Sequence, residues 1–185
     1  MREYFQDDRL ADAELLARSL TRKFPAQQIG WKVLGAVLKK TGRLNEALKA
    51  ERKSVELAVQ DAEAHTNLGV TLRALGRLGE AEASYRQAIA LRPDYADAHY
   101  NLGNMLQEEG NLYEAMSSFK KAIDLKPNYA DALWNLSLIQ LLLNNYKIGW
   151  ENYSWRWKIK ERKTPHAQPK LESWEGEQLK KGEKL

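Results

Sequence analysis

Residues 62–95 read AEAHTNLGVTLRALGRLGEAEASYRQAIALRPDY, and residues 96–129 read ADAHYNLGNMLQEEGNLYEAMSSFKKAIDLKPNY. The two stretches align without a gap. His65-x2-Leu68-Gly69-x2-Leu72, Ala81-x3-Tyr85-x2-Ala88 and Pro93 return as His99-x2-Leu102-Gly103-x2-Leu106, Ala115-x3-Phe119-x2-Ala122 and Pro127. Upstream, Trp31-x2-Leu34-Gly35-x2-Leu38 and Ala47 hold the same places, with a weaker second half. A fixed period of 34 residues is the mark of a solenoid, in which each repeat is one supersecondary unit stacked on its neighbours. Such an architecture offers an extended surface for binding rather than a pocket for chemistry.

Within one period the apolar and small residues Ala64, Leu68, Gly69, Leu72 and Leu75 recur at three- and four-residue steps, which predicts a helix over 62–75. Gly76 is placed to stop it, and Gly42 and Gly110 stand at the same position in their repeats. A second helix is predicted from Glu80 to Leu91, closed by Pro93. Each helix of about 14 residues is ~20 Å long and marginal alone, so stacking must stabilise it. Gly35, Gly69, Gly103, Ala47, Ala81 and Ala115 are expected where paired helices pass closely. Tyr85 and Phe119 are expected to fill the gap between repeats, and Leu34, Leu68 and Leu102 to form a continuous apolar column.

The pattern extends both ways. Tyr4, Asp8, Ala13 and Pro25 fall one period before Leu38, Gly42, Ala47 and Val59, so the chain is expected to begin inside a repeat. Downstream, Leu133-x2-Leu136-Ser137 and Gly149-x3-Tyr153 form a degenerate unit. Its second helix, expected over 146–160, carries Trp150, Tyr153, Trp155 and Trp157. Pro165, Pro169, Gly176 and Gly182 then mark an irregular tail. The expected organisation is an all-α solenoid of antiparallel helix pairs over 1–163, about nine or ten helices in all. It comprises a partial repeat at 1–27, repeats at 28–61, 62–95 and 96–129, and a degenerate repeat at 130–163. Residues 164–185 are a linker or the start of a further domain.

Composition narrows the function. There is no cysteine, hence no disulfide framework and no thiolate metal site. The polar N-terminus is not a signal peptide, and the apolar run at Leu141-Leu142-Leu143 is far too short to span a bilayer. A cytoplasmic location is expected. Of the 29 Lys/Arg and 25 Asp/Glu, residues 156–185 hold nine and five, so the net +4 resides in the tail and the repeats are neutral. A nucleic-acid binder would carry its basic stripe on the folded surface, and neither nucleic acid nor membrane is expected as a partner.

The repeat resembles the tetratricopeptide repeat, whose consensus runs Trp-x2-Leu-Gly-x2-Tyr, Ala-x3-Phe, Pro. The match covers about residues 1–160. The resemblance implies a right-handed superhelix of helical hairpins with a concave groove lined by the first helix of each pair. The tail is similar to a junction in long bacterial repeat proteins related to O-linked N-acetylglucosamine transferases. The residues that carry this likeness are Trp150-x2-Tyr153-x-Trp155-Arg156-Trp157, Pro169 and Trp174-x-Gly176-Glu177-x-Leu179-x2-Gly182. That likeness implies a glycosyltransferase-like domain after Leu185, with any catalytic residues beyond it.

In the family's groove, a ladder of asparagines holds an extended peptide by its backbone. Asn67, Asn101 and Asn135 are 34 residues apart just before the Leu of each first helix. A side-chain amide offers both a donor and an acceptor, although Val33 breaks the ladder in the first full repeat. The same positions admit a bland reading, in which these residues merely belong to the consensus. Tyr100, Asn104, Trp134, Arg73 and Lys32 are the expected groove neighbours, with Tyr100 and Trp134 as aromatic anchors. Lys32, Lys39 and Lys40 suggest a groove that is basic at one end and acidic and aromatic at the other. Repeat domains that clamp a C-terminal carboxylate have Lys four residues before the asparagines. Here Glu63, Asp97 and Asp131 stand there, which repel such a group.

His65 and His99 occupy one repeat position and read as core or half-buried packing residues. His166 is alone in the tail, and no metal site or cofactor is expected. No nucleophile, base and phosphate-loop arrangement appears at catalytic spacing, so this chain is not expected to be an enzyme. The tryptophans of the last unit are expected to cap the solenoid or, with Lys158, Lys160, Arg162 and Lys163, to dock a further domain. The leading expectation is a scaffold that binds an extended protein segment. The alternatives are the substrate-presenting arm of a glycosyltransferase-like enzyme and self-association through the open N-terminal end, residues 1–6.

Overall fold

The computed structural model describes residues 9–158. Among these are nine α-helices: α1 (Leu10–Lys23), α2 (Gln28–Lys40), α3 (Leu44–Leu57), α4 (Ala62–Ala74), α5 (Leu78–Leu91), α6 (Ala96–Glu108), α7 (Leu112–Leu125), α8 (Ala130–Leu142) and α9 (Tyr146–Tyr153). A 3₁₀ segment, Ser154–Lys158, follows. Each helix packs on the next in chain order, and the pairs α2/α3, α4/α5, α6/α7 and α8/α9 are the most intimate. The first helices of successive pairs also touch, α2 on α4 and α4 on α6. This is the expected all-α solenoid.

Two differences concern lengths. The second helix of the period begins at Leu78 rather than Glu80. The last helix ends at Tyr153 and tightens into the 3₁₀ segment, rather than running to 160. Tyr4, Asp8, the open end at residues 1–6, Lys160, Arg162, Lys163, His166 and the tail motif around Trp174 lie outside the described residues.

The turns within each pair have one design. Gly42, Gly76 and Gly110 have φ of 76°, 73° and 80°, in the left-handed region where a Cβ is penalised. In each turn the next amide bonds back five positions to close the helix: Arg43 N to Leu38 O, Arg77 N to Leu72 O, and Asn111 N to Leu106 O, at 2.9, 2.9 and 2.8 Å. In the degenerate repeat the place belongs to Asn144, with φ 62°, and Asn145 N closes on Gln140 O at 2.8 Å. Asparagine is the side chain that best tolerates this conformation after glycine.

The joints between pairs are built differently. Asp61 caps α4, accepting from Glu63 N and Ala64 N at 2.9 and 3.2 Å. Its other oxygen accepts from Gln28 Nε2 (2.7 Å) and Lys32 Nζ (2.9 Å) of α2. Burial opposes ionisation, but Lys32, Gln28 and the Ala64 amide outweigh it and hold the carboxyl below its usual range. Tyr95 and Tyr129 take the place of Asp61 in the next two repeats. Arg92 lies over the Tyr95 ring at 3.6 Å and Lys126 over the Tyr129 ring at 4.1 Å, the cation–π arrangement. The Asp61→Ala variant is expected to lose about 1–2 kcal/mol in thermal denaturation, and Asp61→Asn clearly less. Equal losses would show that the Lys32 pairing, not the cap, carries the effect.

His65 and His99 do more than pack. Their Nε2 atoms lie 3.0 Å from the carbonyls of Val59 and Pro93, and Trp31 Nε1 donates to Pro25 O at 2.9 Å. A carbonyl only accepts, so Nε2 carries the proton. One ring N–H thus ties the start of the first helix to the preceding joint in three successive repeats.

The core seats each of the aromatics Tyr85 and Phe119 on a glycine of its own hairpin. Tyr85 and Phe119 are both 0% exposed. A Cβ added at Gly69 would stand 2.6 Å from Tyr85 Cε1, and one at Gly103 would stand 2.7 Å from Phe119 Cε1. Each glycine is therefore the seat of its partner's ring. Ala13, Ala47, Ala81 and Ala115 are essentially fully buried, as their place at the helix crossing requires. The position of Tyr85 and Phe119 one repeat earlier is occupied by Glu51, 2% exposed, with its Cγ against Gly35. The apolar core divides at that hairpin. A large cluster runs from Leu48 to Ile139, and a smaller one holds Ala17, Leu34, Leu38, Ala47 and Ala50.

Candidate partner-binding groove

The first helices α4, α6 and α8 put side chains from three successive repeats around one hollow of ≈ 420 Å³, lined by Arg73, Asn104, Gln107, Glu108, Trp134, Asn135 and Leu138. The helical period explains the gathering. Asn101, Asn104 and Glu108 succeed each other by three and four residues on α6, as do Asn135 and Leu138 on α8, so each series shares one face. Of the residues singled out from sequence, Arg73, Asn104, Trp134 and Asn135 meet here. Asn67, Asn101, Tyr100 and Lys32 stand outside the hollow.

The ladder asparagines are each partly engaged within the protein. Lys39 Nζ donates to Asn67 Oδ1 at 3.5 Å. Asn101 Nδ2 donates to the Asp97 carbonyl of its own helix at 2.8 Å. Asn135 Nδ2 donates to Asn104 Oδ1 at 2.7 Å. Since a side-chain amide has two donors and two acceptor sites, each retains capacity for a ligand. The Asn104–Asn135 pair presents a free donor edge and a free acceptor edge side by side, across two repeats.

Tyr100 is half-buried, its ring 4.8 Å from that of Tyr129 and 5.9 Å from that of Phe119. It joins groove to core rather than standing free as an anchor. Tyr129 in turn donates its hydroxyl to Asp97 Oδ1 at 2.9 Å. Burial, then that bond and the Asp97 charge, push the phenol well above its usual range.

The basic end expected from sequence is neutralised. Lys32 Nζ contacts Asp61 Oδ2 at 2.9 Å and Glu63 Oε2 at 2.6 Å. Burial works against its charge, yet Glu63 and Asp61 raise its pKa on balance. Lys39 Nζ sits 3.3 Å from Glu51 Oε1. Arg73 reaches across to the next repeat, with Nη1 3.7 Å from Glu108 Oε1.

The terminal tryptophans divide. Trp150 is 60% exposed, edge-on to Tyr153 at 5.2 Å, and so does not seal the end of the stack. Trp155 lies under Lys158 Nζ at 3.7 Å. Among the described residues no group of three or more His, Asp or Glu could hold a metal ion. Among them, too, no helix is long and apolar enough to cross a membrane.

Two residues with physical weight were missed from sequence. Glu108 is the acidic neighbour of Arg73. Glu51 was detectable, because it stands 34 residues before Tyr85 in the aromatic position.

A family model described as TPR repeat matches residues 71–110, and one described as Tetratricopeptide repeat matches 96–129. The second span coincides with one full period. The family likeness thus rests on residues 71–129.

Solved structures with the same tetratricopeptide architecture include MamA 41-end from Desulfovibrio magneticus RS-1. It is 18% identical with a TM-score of 0.73, over 85% of this chain and 89% of that one. The pilF protein of Pseudomonas aeruginosa is 19% identical with a TM-score of 0.78, over 84% and 71% of the two chains. YrrB, described as a TPR protein with an unusual peptide-binding site, is 20% identical with a TM-score of 0.65, over 86% and 82%. At these identities the likeness concerns the fold. No curated protein sequence matches the chain.

Proposed function

We propose that the chain is a protein-interaction scaffold that holds an extended protein segment against the first helices α2, α4, α6 and α8. The observation that carries this reading is the hollow shared by three repeats, where amides of Asn104, Gln107 and Asn135 converge beside the half-buried Trp134. Amide edges match a peptide unit without reading its side chains, and an aromatic wall supplies apolar area. The peptide-binding description of YrrB, a fold neighbour, is consistent with it.

Panning a random-peptide phage library on the protein tests the reading. Extended peptides are expected to be selected. The triple variant Asn67→Ala, Asn101→Ala, Asn135→Ala is expected to weaken them at least about tenfold, given ~0.5–1.5 kcal/mol for each amide bond lost. Far-UV circular dichroism should remain that of the parent. Failure to select any peptide, or undiminished binding by the triple variant, would discard the ladder.

A further inference from the structure

We infer that the hollow between α4, α6 and α8 is a subsite for a carboxylate side chain, an aspartate or glutamate of the bound segment, with Arg73 as its counter-ion. This rests on the groove reading above and goes beyond it by naming which residue the groove selects.

The first ground is an unsatisfied donor. Arg73 Nη1 is buried and has no hydrogen-bond partner. The neighbouring carboxylate, Glu108, stands 3.7 Å away, outside hydrogen-bond reach. A guanidinium offers five N–H donors in a planar fork, which a carboxylate fills two at a time.

The second ground is another unsatisfied donor behind the hollow's wall. The Tyr85 hydroxyl is also buried without a partner. Burial first raises its pKa, to about 12, while the Arg73 charge lowers it and Glu108 and Glu51 raise it. Tyr85 therefore lies within the field of Arg73, although it does not itself line the hollow.

The third ground is the wall. Asn104 and Gln107 add amide donors, and Trp134 with Leu138 gives an apolar flank that fits the methylenes of a Glu. A lysine in the same place would meet Arg73.

Glu108 is the competitor. Its side chain is 56% exposed, so it turns to water at little cost when a ligand carboxylate takes Nη1. The acidic positions Asp97 and Asp131 sit in the first turns of α6 and α8, at the other end of these helices. Eleven residues of helix separate Asp97 from Glu108. That is roughly 16 Å, about two Debye lengths at physiological salt, so the repulsion of Asp97 at the Arg73 end is screened.

An array of N-acetylated, C-amidated nonapeptides, alike except for Glu, Gln, Leu or Lys at the central position, reads this out. Glu is expected to bind roughly tenfold tighter than Gln, the scale of one charge-assisted hydrogen bond, and Lys weakest. The Arg73→Gln variant is expected to bind the Glu and Gln peptides alike. The Glu108→Gln variant is expected to bind the Glu peptide several-fold tighter than the parent does, which a merely structural Arg73–Glu108 pair would not produce. Preference for Lys, indifference to Glu, or a Glu preference that survives Arg73→Gln would overturn the subsite while leaving the groove intact. If no peptide on the array binds the parent protein, the groove reading falls and the subsite with it.

Discussion

Truncating Phe119 to alanine is expected to cost about 3–5 kcal/mol of folding free energy in urea denaturation, the range for deleting a fully buried aromatic ring. Phe119 is 0% exposed and lies in the main apolar cluster with Leu102, Met105, Leu106 and Ala132, drawn from the helices on either side. Deletion removes that burial and leaves a cavity that rigid helices cannot close. Gly103 sharpens the test. Glycine inside a helix costs about 0.5–1 kcal/mol relative to alanine, so by propensity alone Gly103→Ala should stabilise. The new Cβ would stand 2.7 Å from Phe119 Cε1, and overpacking of a dense core costs about 1–3 kcal/mol. Overpacking is the larger effect, and net destabilisation is expected. In a Phe119→Leu background the same alanine should cost less than in the parent, because the two sites share one contact. Stabilisation by Gly103→Ala in the parent would mean that the glycine is not the seat of the ring. Because each repeat is held by its neighbours, Phe119→Ala is also expected to broaden the transition as the two ends of the array uncouple.

Much of this fold is legible in the sequence because a repeat states each rule several times. Gly42, Gly76 and Gly110 read as helix stops, and all three have positive φ. Asn144 extends the rule, though one asparagine among several in 144–145 and 152 gives no signal without the register. What the sequence hid was which neighbour each side chain chooses. Tyr85 and Phe119 can be placed at a helix–helix contact by period, but period alone does not say whether the contact lies inside a hairpin or between two. The glycine sixteen residues earlier decides it. The groove suffered more. Charge patterning suggested a basic end at Lys32 and Lys39, and the fold supplies Asp61, Glu63 and Glu51 from other helices to neutralise it. Those pairings join residues from 12 to 31 positions apart, beyond the reach of any helical spacing rule. The ladder positions were set by phase. That Asn101 turns back on its own helix while Asn135 crosses to Asn104 depends on neighbours that differ between repeats.

Glu51 is where the sequence departs from its own period, and replacing it should reward the departure's removal. The Glu51→Phe variant is expected to be more stable than the parent at pH 7 by about 1–3 kcal/mol, since replacing a buried ionic group with well-packed apolar volume is commonly neutral or stabilising. The site is shaped for a ring. Gly35 faces Glu51 as Gly69 faces Tyr85 and Gly103 faces Phe119. The existing carboxylate is poorly served. Lys39 Nζ reaches Oε1 at 3.3 Å, but Oε2 has no hydrogen-bond partner, and neither has the buried Thr71 hydroxyl. Burial pushes the Glu51 carboxyl above its ordinary value, and the Lys39 charge only partly offsets that. Lys39, left behind by the substitution, keeps part of its side chain in solvent and can extend its ammonium there. The raised pKa fixes the sign of the pH dependence. The folded state holds this proton more tightly than the unfolded chain, so its contribution is fully present below the ordinary carboxylate value and is lost as pH rises through the folded value. Carboxyls held low, such as Asp61 and Glu14, act in the opposite sense and weaken the fold on acidification. The informative quantity is therefore the difference between the two proteins. The advantage of Glu51→Phe should be largest at neutral pH and shrink as pH falls toward the ordinary carboxylate range, where the parent's Glu51 becomes a neutral acid. A difference that stayed constant across that interval would show that Glu51 titrates as it does in the unfolded chain, and that the gain came from the ring's packing alone.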